Sequence, residues 1–131
     1  MPIEVKILAF GAVLLLVQIL LATQAKNAQY GVRWNIGPRD EPLAEPRPMT
    51  GRLIRAQANF LETFPVAIVA LLGVVIANKT SSSTGLGGWI WLGARIVYIP
   101  LYAAGVPVVR TIIWGISIFG LAMVIWPLLA G

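Results

Sequence analysis

The chain contains 131 residues, of which 58% are hydrophobic and 11% are charged, and its formal net charge is +5. About a quarter of the residues of an ordinary soluble domain are charged, so this composition excludes that class and predicts a single integral membrane domain over residues 1–131. Cysteine and histidine are both absent, which excludes disulfides, a cysteine nucleophile and a histidine base. Three of the five carboxylates fall in one loop, so we expect no metal site. The basic residues flank apolar segments, which favours lipid headgroups over nucleic acid as their partners.

The first apolar segment, residues 5–24, is about long enough to cross a bilayer as a helix. A cleaved signal peptide is the alternative. Glu4 in the would-be basic region argues against it, as does the sequence ATQA at residues 22–25, which lacks the spacing of a cleavage site. Gln18 lies in the middle of this span, where a hydrogen bond to a neighbouring helix is favoured over a ligand contact.

Residues 26–50 are predicted to form a long polar loop, because four prolines prevent a regular helix there: Pro38, Pro42, Pro46 and Pro48. The loop contains three acidic and four basic residues: Asp40, Glu41, Glu45, Lys26, Arg33, Arg39 and Arg47. Positive charge collects on the cytoplasmic side of membranes, so we place this loop in the cytoplasm and both termini outside, in a bacterial inner membrane.

The second span, residues 51–77, opens with a polar stripe. Arg55, Asn59 and Glu62 are spaced i, i+4 and i+7, so they share one face of a helix that Thr50 is predicted to cap. Such a stripe must face a protein partner, a water-filled cavity or a ligand. Pro65 follows within the same helix, where it is expected to cause a kink that either opens space beside the stripe or merely bends the packing.

The remaining segments complete an all-α bundle of four transmembrane helices. Residues 78–88 are predicted to be a short flexible turn, and residues 89–104 form the third span, with Arg95 well inside it. Tyr98 and Tyr102 lie three and seven positions after Arg95, so they can share its face or act as interfacial anchors. Pro107 is expected to start the fourth span, residues 108–129, near Arg110.

The charges within these helices do not balance. Glu62 can pair with Arg95, which would fix helix register, but one glutamate cannot also neutralise Arg55 and Arg110. The surplus of guanidinium groups predicts an anionic ligand, because their donors suit carboxylates. The alternative is an assembly subunit whose arginines pair only structurally; an anion channel is disfavoured because Pro65 has no evident part in it.

Two motifs carry a resemblance to a known family. The sequence RAQANFLETFP at residues 55–65 resembles the second-helix signature of the membrane-associated proteins in eicosanoid and glutathione metabolism (MAPEG), which include microsomal glutathione transferases and leukotriene synthases. The sequence ARIVY at residues 94–98, followed by Tyr102, resembles the third-helix signature. The chain departs from the pattern at Thr63, where several of these enzymes carry a tyrosine, and at Ala104, where some carry a basic residue.

The resemblance implies a homotrimer that binds glutathione between neighbouring subunits near the cytosolic face. It implies that the second and third helices hold the peptide through seven residues: Arg55, Gln57, Asn59, Glu62, Arg95, Tyr98 and Tyr102. Arg110 is implied as the arginine that activates the thiol, and Lys26 or Arg33 would stand in for a first-helix arginine.

The predicted function is that of a glutathione transferase or a glutathione-dependent peroxidase. An arginine-stabilised thiolate would attack an apolar electrophile or a lipid hydroperoxide that enters from the bilayer. The absence of cysteine agrees with a nucleophile that arrives with the cofactor. A non-catalytic binding or assembly subunit of the same fold is the alternative.

Overall fold

The computed structural model describes residues 1–40 and 43–130, and the described residues form five helices. These are α1 (Ile3–Tyr30), the short α2 (Val32–Ile36), α3 (Pro48–Ile76), α4 (Ser82–Ala103) and α5 (Pro107–Ala130). Glu41 and Pro42, assigned above to the loop, and Gly131, at the end of the predicted domain, lie outside the described residues.

Three helices are long and apolar enough to cross a membrane: α1, α3 and α5. The chain is therefore an all-helical integral membrane protein. The fourth long helix, α4, has 22 residues but begins with the sequence SSTGLGG, which lowers its mean hydropathy. Its assignment as a fourth span stays a prediction.

The first connection is shorter than predicted. Helix α1 continues to Tyr30 because the loop prolines begin only at Pro38, and Gly31, with a φ of +95°, separates it from α2. The predicted capping role of Thr50 is wrong. Arg47 is the cap residue, Pro48 occupies the first turn of α3, and Thr50 is buried within the helix. A proline there is favourable, since its missing N–H would have no partner in a first turn.

The predicted turn over residues 78–88 is also too long, because its second half is the start of α4. The Ser81 hydroxyl accepts a hydrogen bond from the Thr84 N–H at 3.3 Å, and the Thr84 hydroxyl accepts one from the Ser81 N–H at 2.8 Å. This reciprocal pair is a capping box. Ser81 and Thr84, whose residue types favour a loop, therefore mark the start of a helix.

The core is an aromatic stack between α1, α3 and α4. The Trp91 ring lies 5.9 Å from Phe60 and 6.0 Å from Phe64, centroid to centroid, and all three are buried. Gly11 lets α1 approach this stack, because a Cβ there would lie 3.0 Å from the Trp91 ring. Many other large apolar side chains point outward; Val69, for example, is 71% exposed. Lipid or neighbouring subunits must cover that surface.

Helices α4 and α5 pack with almost no space between their backbones. A Cβ at Gly87 or at Gly120 would lie 2.6 Å from the carbonyl oxygen of the other glycine, so only glycine fits at this crossing. The turn between the two helices contains Gly105, with a φ of +75°. The Arg52 guanidinium of α3 fills the space beside Gly105 and donates to the Ala103 carbonyl at 3.3 Å. The start of α3, the end of α4 and the start of α5 are thereby held at one end of the molecule.

At the other end, a buried carboxylate joins α1 to α4. Glu4 is only 2% exposed, and its Oε1 accepts a hydrogen bond from the Thr84 hydroxyl at 2.7 Å.

Two proline positions agree with the sequence prediction. Pro107 is the first residue of α5, and Pro65 lies inside α3.

Candidate functional site

A cavity of about 270 Å³ lies between α3, α4 and α5, at the end where Arg52 packs against Gly105. Helix α3 contributes one residue to its lining, α4 two and α5 three: Asn59, Tyr98, Tyr102, Arg110, Thr111 and Trp114. Four of these six are residues that the sequence analysis assigned to the site: Asn59, Tyr98, Tyr102 and Arg110.

Tyr102 lies between two guanidinium groups that come from different helices. Arg55 Nε of α3 donates to the Tyr102 hydroxyl at 3.1 Å, and the Arg55 Cζ lies 5.9 Å from the ring centroid. Arg110 of α5 lies closer, with its Cζ 4.5 Å from the same centroid. Both distances lie within the range of cation–π attraction. The tyrosine therefore fixes two positive charges at one edge of the cavity.

Neither Arg55 nor Arg110 forms an ion pair with a carboxylate among residues 1–40 and 43–130. The Tyr102 hydroxyl is an acceptor toward Arg55, so its own O–H is left to donate elsewhere. Two cations and a hydroxyl donor form an environment suited to an anion.

Arg95 lies inside the subunit rather than on the cavity wall. It is 1% exposed, and its Cζ lies 4.4 Å from the Tyr98 ring and 5.5 Å from the Phe60 ring. None of its three side-chain nitrogens has a hydrogen-bond partner within the described part of the chain. The ion pair with Glu62 that the sequence suggested is therefore not formed within the described part of one subunit, where Glu62 is exposed. Arg95 therefore packs against the face of the Tyr98 ring.

Asn59 and Trp114 bring unused hydrogen-bonding atoms to the cavity. Asn59 Oδ1 and Trp114 Nε1 are both buried, and neither has a partner among the residues described. An amide oxygen accepts and an indole N–H donates, so the pair offers one acceptor and one donor. Buried polar atoms are almost always satisfied, and these two therefore point to a polar occupant.

Two cavity residues, Thr111 and Trp114, were missed by the sequence analysis. Trp114 follows Arg110 by four positions, which places both on one face of α5. That spacing could have identified Trp114 as a site residue. A tryptophan in an apolar helix, however, is typical of a lipid-facing or core position.

The other predicted residues lie outside the cavity lining. Gln57 is half-buried and Glu62 exposed, both on α3, whereas Arg33 lines a separate cavity beside α2. Lys26 lies half-buried in the last two turns of α1.

Gln18 does not make the predicted hydrogen bond to a neighbouring helix. It is 3% exposed, and both its amide oxygen and its amide nitrogen are without a partner in the described chain. Gln18 lies two helical turns after Gly11, which touches the aromatic stack. A polar group is thus buried beside the core, outside the cavity lining.

Comparison with models of protein families identifies the family of this chain. The model of the MAPEG family matches residues 7–130, nearly the whole chain, which confirms the resemblance identified from residues 55–65 and 94–102. No curated protein matches the chain.

Proposed function

The chain belongs to the MAPEG family, and we propose that it acts as a glutathione-dependent membrane enzyme. It would conjugate glutathione to apolar electrophiles or reduce lipid hydroperoxides. The observation that supports this proposal is the convergence of Arg55 and Arg110 on Tyr102 at the edge of a polar cavity. A bound anion would neutralise both cations, and the family is generally associated with glutathione.

The chemistry of the cavity fits glutathione group by group. Glutathione has two carboxylates, an ammonium group, two peptide groups and a thiol. Arg55 would bind a carboxylate, which suits a guanidinium donor. Asn59 Oδ1 would accept from an N–H of the ligand, and Trp114 Nε1 would donate to one of its oxygens. Glu62, exposed on α3, would pair with the ammonium group.

When bound, glutathione would supply the thiol nucleophile. Arg110 would stabilise negative charge on the sulfur, since a guanidinium cannot act as a base at neutral pH. A free thiol has a pKa of about 8.5, and a nearby cation lowers it. The Tyr102 O–H, which is not committed to Arg55, would donate to the same charge. Arg95 would act as a positioning residue, because it supports Tyr98 without reaching the cavity.

A second, apolar groove would hold the lipophilic substrate. It has a volume of about 450 Å³, lies between α3 and α5, and is lined by apolar residues alone: Pro65, Val66, Val69, Ala70, Ile125, Leu128 and Leu129. The same two helices line the polar cavity nearer to their first residues, about two turns before Pro65 on α3 and about three turns before Ile125 on α5. A substrate dissolved in the bilayer would reach this groove without crossing water, and Pro65 forms part of its wall.

We further propose that four helices span the membrane, that three subunits form the enzyme, and that glutathione binds between neighbours. The loop after α1 would face the cytoplasm. The exposed apolar surface of the single subunit is compatible with both lipid and subunit contacts.

The test is glutathione binding to the detergent-purified protein, followed by the ultraviolet absorbance of the thiolate on the same sample. Arg55→Ala should weaken binding at least about tenfold, because a hydrogen bond to a charged group contributes about 1.5–3 kcal/mol. Lys79→Ala is the matched control, since Lys79 follows the opposite end of α3. It should bind like the wild-type protein.

The two measurements separate the alternatives. Binding that produces thiolate absorbance supports the enzyme. Binding without it would indicate a non-catalytic subunit of the same fold. If millimolar glutathione does not bind, or if both variants bind like the wild type, the proposed site is wrong.

A further inference from the structure

Another cavity lies beside α2, in the connection that follows α1, and it shares no lining residue with the proposed glutathione site. Its volume is about 620 Å³, and it is lined by seven residues: Tyr30, Arg33, Trp34, Gly37, Pro38, Arg39 and Asp40. The lining includes two residues of α2 and the four residues that follow the helix. We refer to residues 30–40 as the interfacial segment. The proposed glutathione chemistry makes no use of it.

The segment presents an apolar face beside the end of α1. Val32 and Ile36 are four positions apart on α2, so they share one face, and they are 59% and 80% exposed. The segment begins at the last residue of α1, a helix that is long and apolar enough to cross a membrane. Its apolar face therefore lies next in the chain to a candidate membrane span.

The cavity side of the segment is cationic and aromatic. The Trp34 ring lies 5.1 Å from the Tyr30 ring and 5.0 Å from the Arg39 guanidinium. Arg33 lines the same cavity, and Asp40 contributes the opposing carboxylate. Among the residues that line the cavity, two guanidinium groups and one carboxylate leave a net positive charge. Tryptophan and arginine side by side are typical of the headgroup region of a bilayer.

Hydrogen bonds hold the segment in place. Arg39 donates to the Asn35 carbonyl through Nε at 3.1 Å and through Nη2 at 3.0 Å, which ties the turn to the end of α2. The Tyr30 hydroxyl donates to the Ala44 carbonyl at 2.8 Å, and Gln29 bonds to the backbone of both Glu45 and Arg47. The cavity is thus organised before any ligand arrives, which reduces the entropic cost of binding.

We infer that the interfacial segment lies in the membrane surface and binds an anionic phospholipid. The phosphate of the headgroup would lie between Arg33 and Arg39, while Val32 and Ile36 enter the acyl-chain region. The two guanidinium groups favour an anionic headgroup, and the exposed apolar pair, placed directly after a candidate membrane-spanning helix, favours a lipid over a soluble anion.

The test uses the absence of cysteine from the chain. Ile36→Cys, labelled with an environment-sensitive fluorophore, is reconstituted into phosphatidylcholine vesicles that contain nitroxide-labelled phosphatidylglycerol or nitroxide-labelled phosphatidylcholine. Quenching by the anionic lipid should exceed quenching by the neutral lipid about fivefold, since the lining carries one net positive charge and each such charge at the surface contributes about 1 kcal/mol. Adding Arg33→Gln and Arg39→Gln should remove this difference. Adding Lys79→Gln should preserve it.

Controls test whether water or a neighbouring subunit, rather than lipid, covers this surface. A label on Glu45→Cys, in the same loop, should be quenched by aqueous iodide, whereas a label on Ile36→Cys should be protected. Val32→Cys provides a second position for the label on the same face. The inference fails if Ile36 is quenched by iodide, because the segment then lies in water. It also fails if neither lipid nor iodide quenches the label, since a neighbouring subunit then covers it. Equal quenching by both lipids would refute the anionic headgroup.

Discussion

Arg110 reaches Tyr102 from α5 while Arg55 reaches it from α3, and only Arg55 is tied to the hydroxyl by a hydrogen bond. We therefore assign binding chiefly to Arg55 and stabilisation of the thiolate to Arg110. Arg110→Ala should raise the pKa of the bound thiol toward its free value of about 8.5 and lower kcat roughly 10²-fold, with only a modest loss of glutathione affinity. Thiolate absorbance measured across pH provides the test.

The sign of this effect follows from charge. A cation favours the ionised thiol, so the wild-type absorbance should develop at lower pH than that of Arg110→Ala. Arg110→Lys keeps the charge and should restore part of the downward pKa shift. Identical titration curves for the wild type and Arg110→Ala would remove Arg110 from the mechanism.

Trp114 provides a second test at the residue scale, because its indole N–H is buried without a partner among the residues described. Trp114→Phe keeps an aromatic ring of similar shape and deletes the donor. We expect glutathione affinity to fall about tenfold if the N–H donates to a carboxylate, while the thermal unfolding temperature changes little. The measurement is isothermal titration of glutathione into the purified variant.

Trp126→Phe is the matched control for Trp114→Phe. Trp126 lies on the same helix, is 67% exposed, and lines no part of the polar cavity. Its replacement should leave glutathione affinity unchanged. Equal affinities for the wild type and both variants would show that the N–H of Trp114 does not meet the ligand.

At the scale of elements, the contact between α4 and α5 determines whether the cavity exists, since those two helices supply five of its six lining residues. A Cβ at Gly120 would lie 2.6 Å from the Gly87 carbonyl oxygen and 2.7 Å from the Trp91 nitrogen, and both are backbone atoms. Gly120→Ala must therefore separate the helices. We expect a loss of about 1–3 kcal/mol in stability, a lower unfolding temperature and weaker glutathione binding.

Gly115→Ala is the comparison, because it lies on the same helix with nothing within 4 Å of the added Cβ in its own subunit. Its unfolding temperature should match or exceed that of the wild type, since alanine favours a helix interior. The packing argument is wrong if Gly120→Ala unfolds at the wild-type temperature.

The elements also show why part of the site could be predicted from sequence. Spacing along one helix is local information, and it correctly placed Tyr98 with Tyr102 and identified the face of α3 that carries Asn59. Depth within the bundle depends on contacts between helices, so the burial of Arg95 under Tyr98 could not be derived from its position in the chain. The start of α4 was missed for a different reason: Ser81 and Thr84 favour a flexible turn by composition but form a capping box once their backbone is helical.

On the scale of the whole molecule, basic residues and the polar cavity occur at the same end. Arg52, Arg55 and Arg110 lie there, and the loop after α1 joins α3 at that end. Glutathione is a water-soluble tripeptide of the reducing cytosol, so a cavity that binds it should open toward the cytoplasm. The distribution of positive charge favours the same orientation independently.

Single cysteines can test this orientation, because the natural chain contains none. Ala44→Cys lies in the exposed loop before α3, and Thr80→Cys lies in the exposed turn between α3 and α4. A membrane-impermeant maleimide added to intact cells should label Thr80→Cys and should label Ala44→Cys only after the membrane is permeabilised. The reverse pattern would place Arg55 and Arg110 on the outer side, where cytosolic glutathione cannot reach them, so it would contradict the orientation and the proposed function together.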